Sequence, residues 1–163
     1  MEIRTATEKD IPQIQILRKL GWQDNYVNEE TGVTKEILET ELAKLPVPNS
    51  DIEYNKKILN DPANKDKNLV TVEGDKVIGV VFYDRGDIGV FVDRGHRGRG
   101  IGSRLLDELI SRTDSEIEVT IFSKNPSRNL YKKHGFVEDG EEKIHTFREG
   151  VSLPTQKLVL KRE

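Results

Sequence analysis

The chain has 163 residues, enough for one domain with a real core and too few for two ordinary ones. A formal net charge of −3 with 34% charged residues excludes the basic surface expected of a nucleic-acid binder. The absence of cysteine excludes a disulfide framework, a thiolate metal site and a cysteine nucleophile. Met1-Glu2-Ile3-Arg4 opens without the apolar core of a signal peptide, and no apolar run approaches the ~20 residues of a spanning helix. A cytoplasmic protein with no membrane partner is therefore expected.

Glu2–Thr5 reads as a short strand. Asp10 to Leu20 reads as a helix that turns Ile11, Ile14, Leu17 and Leu20 inward, and Pro12, tolerated only in a first turn, makes Asp10 the cap. The pattern predicts a second helix from Thr34 to Leu45 and, after Pro46 and Pro48, a shorter one over Ser50–Leu59. Leu69–Val72 and Lys76–Phe82 flank Gly74-Asp75 as a hairpin, and Arg85-Gly86-Asp87 turns into a strand at Ile88–Val92. A helix over Ser103–Arg112, a strand over Glu116–Phe122, a short helix around Tyr131 and two strands near Phe136–Val137 and Gln156–Leu160 complete the order. This order predicts a mixed α+β fold, a mostly antiparallel sheet with helices on both faces.

The chemistry is concentrated in the run from Val90 to Ser103. An apolar strand passes through a turn rich in glycine and arginine into a helix that carries Ile101, Leu105, Leu106 and Leu109 on one face. The first amides of a helix lack intrahelical partners and favour an anion. Gly98, Gly100 and Gly102 let an anion approach, and Arg97 and Arg99 suit a phosphate, so the run reads as a diphosphate cradle. No Walker loop is present, and Ser103 stands where a dinucleotide fingerprint needs its third glycine. Arg97, Gly100 and Gly102 do fit Arg-x-x-Gly-x-Gly.

That spacing resembles the coenzyme A signature of the GNAT superfamily of acyl-CoA-dependent N-acetyltransferases. A second block, Asn125-Pro126-Ser127-Arg128-Asn129-Leu130-Tyr131 ending at Gly135-Phe136, is similar to the superfamily's other motif. Asn125 departs from it, standing six residues before Tyr131 where the family has seven. The resemblance runs from about Leu69 to Phe136 and is only topological before that. It implies one acetyltransferase domain over 1–163, with an acceptor-side region at 1–68, a coenzyme-binding core at 69–136 and C-terminal strands at 137–163.

The resemblance further implies acetyl-CoA as cosubstrate, no metal, and direct acetyl transfer to a primary amine of a small molecule or of a peptide or protein. The pantetheine arm is expected between splayed parallel strands, pairing with the backbone of Val90, Phe91 and Val92, with an N–H near Phe91 polarising the thioester. Its diphosphate is expected on the amides of Gly98, Gly100, Ile101, Gly102 and Ser103, beside Arg97 and Arg99, with Asn125 and Ser127 near the arm. Tyr131 is the candidate catalytic residue, because a phenol of pKa about 10 can protonate a departing thiolate of about 8.5.

The base is open among Asp84, Asp87, Glu118, Glu53 and water. The family's usual glutamate position falls at Gly86, and alternation puts Asp87 on the face opposite Ile88, Val90 and Val92. His96 either touches a phosphate or is solvated, His134 reads as structural near a helix end, and His145 carries no signal. Trp22 and Tyr26 either wall the acceptor pocket or pack between helices, and Arg128, Lys132 and Lys133 read as a solvated face. Glu29, Glu30, Glu39, Glu41, Asp51 and Glu53, in an acidic chain, lean the acceptor toward a cationic amine. A monomer or homodimer is expected. The alternative function is a non-catalytic acyl-CoA-binding sensor or regulatory module.

Overall fold

A computed structural model describes residues 1–26, 34, 36, 52–148 and 151–162. Strands β1 (Glu2–Thr5), β2 (Leu69–Glu73), β3 (Lys76–Asp84), β4 (Asp87–Val92), β5 (Ile117–Phe122), β6 (Val137–Glu138), β7 (Lys143–Arg148) and β8 (Val151–Leu160) form one sheet. Its order is β1-β2-β3-β4-β5-β8-β6, with β7 also on β8, and every pairing is antiparallel except β4 with β5. Helices α1 (Ile11–Tyr26), α2 (Ile52–Asn60), α3 (Ile101–Arg112) and α4 (Arg128–Lys133), with short 3-10 turns at Glu8–Asp10, Pro62–Asn64 and Arg94–His96, complete the described elements. This is the expected mixed α+β architecture.

The two faces of the sheet carry separate cores. On one, Ile101, Leu105, Leu106 and Leu109 of α3 join Ile78, Ile88, Ile117, Val119 and Tyr131. Each such side chain is worth about 1.5–3 kcal/mol when fully buried, so this stripe holds α3 firmly on the sheet. On the other, Ile14 and Leu17 of α1 cover Val70, Val77 and Val80, with Phe91 against them. Two glycines permit the close approaches. A Cβ on Gly79 would stand 2.8 Å from Ile101 Cγ2, and one on Gly21 would stand 2.3 Å from Phe91 Cδ1.

Several boundaries move. Asp10 is not the cap but the third residue of a 3-10 turn, Glu8–Asp10, whose N-cap is Thr7. Its carboxylate accepts the Thr7 backbone N–H at 2.8 Å and a bidentate pair from Arg4 at 2.7 and 2.9 Å. A local rule chose the nearest cap residue, whereas the half-buried ion pair with β1 decided the geometry. The helix also runs on to Tyr26, and α3 begins two residues early, at Ile101. Strand β7 was not expected, because Lys143–Thr146 are exposed and leave no apolar alternation to read. The helix expected over Thr34–Leu45 lies outside the described residues apart from Thr34 and Glu36, as do the first positions of Ser50–Leu59.

Candidate active site

Strands β4 and β5 share a single parallel register pair, Asp87 with Glu118, and then diverge. Beyond it β4 stays on β3, while β5 follows β8. In the gap the Val90 N–H donates to the Tyr131 hydroxyl at 3.3 Å, and Arg97 Nε donates to the Val92 carbonyl at 3.1 Å. Backbone groups alternate along a strand. The Asp93 N–H bonds Ile78 of β3, so Phe91, of the same parity, also turns its backbone to β3. The expected Phe91 N–H is therefore on the wrong edge; Val90 and Val92 face the gap.

A cleft of about 430 Å³ opens at this split. One side is lined by Val90, Val119, Ile121, Asn125, Ser127 and the buried Tyr131. The other comes from Arg18 of α1, Tyr54 of α2, Phe82 and Asp84 of β3, and Asp87 of β4, with His145 and Thr155 at the β7–β8 edge. Sheet register sets three carboxylates in a row, because Asp84 faces Asp87 across one ladder and Asp87 faces Glu118 across the next.

The row is not uniform. Asp84 Oδ1 accepts from Asn64 Nδ2 at 3.0 Å, and Glu118 pairs with Lys157 Nζ at 2.9 Å. Asp87 has no ion-pair partner among the described residues. It is reached by solvent through the cleft yet crowded by protein, and burial, then the charges of Glu118 and Asp84, hold its carboxyl above the usual carboxylate range. Alternation places Asp87 opposite Ile88, Val90 and Val92, and at the split the cleft is lined from both faces of β4, by Asp87 and Phe91 from one and by Val90 from the other. Glu53 lies elsewhere, exposed and beside Lys56 in a separate surface depression.

A family model for the acetyltransferase (GNAT) domain matches residues 64–138. The L-amino acid N-acetyltransferase AaaT of Escherichia coli K12 is 31% identical over 122 residues, 65% of this chain and 74% of that protein. The chain belongs to the GNAT acetyltransferase family. Among solved structures, the ribosomal-protein-alanine N-acetyltransferase of Brucella melitensis aligns with a TM-score of 0.69 at 23% identity, over 98% of this chain and 99% of that one. Salmonella typhimurium yncA, solved with its cofactor acetyl-CoA, aligns with a TM-score of 0.66 at 21% identity, over 100% of this chain and 94% of that one.

The glycines of the GNAT loop serve two purposes. Gly98 and Gly100 are left-handed, with φ of 78° and 77°, and a Cβ on either would meet only open space. Gly100 is the N-cap of α3, so its conformation aims the first helical amides outward. Gly102 differs: a Cβ there would stand 3.3 Å from Leu130 and 3.4 Å from Val90. It is a packing residue, which spacing alone did not separate from its neighbours. Ile101 is buried among the core, so only its backbone can serve the loop.

The loop's charged residues are already engaged on one side. Arg97 pairs with Asp24 of α1 at 2.8 Å, and Arg94 joins the same carboxylate, which both arginines hold below its usual range. Arg99 is exposed. His96 Nδ1 lies 2.7 Å from Asp93 Oδ2 and Nε2 lies 3.7 Å from Glu73, so it is clamped by carboxylates rather than solvated.

The second GNAT block is a turn and a brace. Asn125 Oδ1 accepts both the Ser127 N–H and the Ser127 hydroxyl at 2.9 Å, which closes the turn into α4 and keeps Asn125 buried at the cleft. Arg128 is not a solvated residue: it donates to the Ser123 carbonyl and pairs with Glu138, which Lys132 also reaches. His134 bridges the Leu130 carbonyl, Ser103 and Asp107, the structural part expected of it.

The sequence singled out none of Arg18, Tyr54, Phe82 and His145 as a cleft residue. Arg18 had a usable signal, since it sits four residues after Ile14 and seven after Ile11, on the helix's apolar stripe. His145 had none, because the exposed strand that carries it had none. Trp22 and Tyr26 lie in α1, but their side chains are outside the described residues.

Proposed function

We propose that the protein is an acetyl-CoA-dependent N-acetyltransferase that moves the acetyl group directly to a primary amine of a small molecule. The observation that carries this is the split of β4 from β5, with Tyr131 at its coenzyme side and Asp87 on its other side. An extended, amide-bearing chain fits between strands that have parted, and an anion fits the open, left-handed glycines at the start of α3. Backbone groups of Val90 and Val92 hold the arm; the amides from Gly98 to Ser103, with Arg97 and Arg99, hold the diphosphate; Asn125 and Ser127 flank the arm. Acetyl-CoA supplies, when bound, an acetyl group activated as a thioester.

The chain's own residues then handle charge and protons. The Val90 N–H faces the gap and is the donor that polarises the acyl oxygen. A primary amine of pKa about 10.4 is almost wholly protonated near neutral pH, so it must lose a proton before its nitrogen can bond to the acyl carbon. Asp87 accepts that proton, directly or through water, and its raised pKa suits the task. As the carbon–nitrogen bond formed and the carbon–sulfur bond broke, the Tyr131 hydroxyl would protonate the sulfur, and the second proton leaving the nitrogen would restore the Tyr131 phenol through water, which leaves amide, thiol and the one proton held by Asp87. The acid row draws in a cationic amine, which supports the lean drawn from composition, although five of the six carboxylates behind that lean lie outside the described residues. The E. coli relative's action on L-amino acids supports a small acceptor.

Thiol release from acetyl-CoA in the presence of a panel of amines tests the proposal. Turnover with at least one small amine is expected. Thermal stabilisation by acetyl-CoA without turnover on any amine would instead mark a binding module.

A further inference from the structure

We propose that Asp24 of α1 is a positioning residue of the coenzyme site: it holds Arg97 at the edge of the split before the coenzyme binds and yields it to the diphosphate on binding. The inference rests on the transferase reading above and adds a residue from outside the two coenzyme stretches.

Arg97 is tied to two elements at once. Its Nε donates to the Val92 carbonyl at 3.1 Å, and its Nη2 pairs with Asp24 at 2.8 Å. That carbonyl lies on the edge of β4 that faces the split, between Val90 and the left-handed turn at Gly98 and Gly100. On the transferase reading, an arm that reaches from Val90 to that turn passes Val92. The Arg97 guanidinium therefore covers a carbonyl the arm would use, and it is paired with a carboxylate that would repel a diphosphate. Two anions then compete for one cation, and the diphosphate carries more charge and more acceptor oxygens.

Asp24 can give up Arg97 because it has a second arginine. Arg94 Nε lies 3.1 and 2.9 Å from the two carboxylate oxygens, and Arg94 Nη2 also pairs with Oδ1. Of the two arginines, Arg94 does more to hold the Asp24 carboxyl below its usual range. A guanidinium bound through two nitrogens is enough to pair one carboxylate. Asp24 thus keeps a partner when Arg97 turns away, and the Arg97 side chain, 43% exposed, gives up an ion pair of the kind that is weak in water.

The test is acetyl-CoA affinity by calorimetry in wild type and three variants. Asp24→Asn releases Arg97 in advance and removes a negative charge, so it should bind about three- to tenfold more tightly while melting at a lower temperature without coenzyme. Arg94→Gln leaves Asp24 dependent on Arg97 and should bind about threefold more weakly, or worse. The double variant should bind within about twofold of Asp24→Asn, because Arg94 acts through Asp24. A carboxylate that only braces the loop would lose stability and affinity together, so unchanged or weaker binding by Asp24→Asn overturns the assignment. An Arg94→Gln effect that is absent, or equally large in both backgrounds, overturns it too. If Asp24→Asn fails to fold, an NMR titration of the wild-type arginine Nε–H signals decides. Acetyl-CoA should shift Arg97 and leave Arg94 in place, and a stationary Arg97 overturns the assignment. All these failures leave the transferase reading intact, whereas a wild type that binds no acetyl-CoA would overturn both.

Discussion

The two sides of the cleft are built by different means. The side proposed for the coenzyme comes from two short, continuous stretches, Val90–Ser103 and Asn125–Tyr131, and offers largely backbone: a parted strand, left-handed glycines and the first amides of α3. The acceptor side is made of side chains drawn from α1, α2, β3, β4 and β7, which meet only because the sheet and its covering helices bring them together. A shared donor is read by shape and by amides that every residue owns. An acceptor is read by charges that must be imported one at a time, so that side can change without disturbing the other.

The largest expected effect strikes the backbone side. Gly100→Asp forces a side chain into a left-handed conformation and adds a negative charge where an anion should sit, and should weaken acetyl-CoA binding by about 100-fold or more. Unchanged affinity by calorimetry, with the fold intact, would remove the cradle from the N-terminus of α3.

Tyr131→Phe separates chemistry from binding on that same side. The ring stays packed edge-on to Phe136 at 5.4 Å, so kcat should fall by about 100-fold with little change in coenzyme affinity. Loss of the hydroxyl also strips the Val90 N–H of its acceptor and should cost about 1 kcal/mol of stability in the absence of coenzyme. Full turnover by the variant would make Tyr131 a packing residue.

Asp87→Asn probes the acceptor side and should lower kcat/KM by about tenfold, since water remains as a proton route. Its stability effect has the opposite sign. A carboxyl whose folded pKa lies above its unfolded value costs no stability below the unfolded value, and the cost grows as pH rises through the folded one. The variant should therefore melt at a higher temperature than wild type at pH 7 and at the same temperature near pH 3. Asp10 supplies the contrast: its pairing with Arg4 lowers its pKa, so its contribution is present at neutral pH and lost as pH falls through the lowered value. A variant less stable than wild type at pH 7 would argue that Asp87 holds the fold rather than the proton.

The smallest effect is expected for Ser127→Ala. Asn125 Oδ1 still accepts the Ser127 N–H after the hydroxyl is gone, so the turn should survive at a cost of about 1 kcal/mol, with coenzyme affinity within about threefold. A larger loss of affinity would show that the hydroxyl itself meets the coenzyme.

These differences follow what was legible in the residues. The glycine spacing, the apolar stripe of α3 and the Tyr131-to-Phe136 spacing are local patterns, and each reappears as a local structure, because turn conformation and helical periodicity depend on neighbours in the chain. The purposes of the individual glycines were not legible: Gly98 and Gly102 look alike in sequence, and only the packing of Leu130 and Val90 against α3 separates them. Arg97 likewise gives no sign in the sequence of the Asp24 carboxylate that α1 brings beside it.

By itself the sequence determined most of the order of elements, the glycine turn ahead of α3 and the family. Tertiary structure decided which carboxylate has no ion-pair or side-chain hydrogen-bond partner among the described residues. Asp84, Asp87 and Glu118 are equivalent as acidic residues near strand ends; only the register of β3, β4 and β5 sets them in one row, and only Asn64 and Lys157, arriving from elsewhere, engage the outer two. The same holds for Arg18, whose place in the cleft depends on Phe82 and Asn55. Backbone conformation is governed by short-range sterics and can be read along the chain, whereas the electrostatic environment of a side chain is summed over neighbours that only the fold assembles.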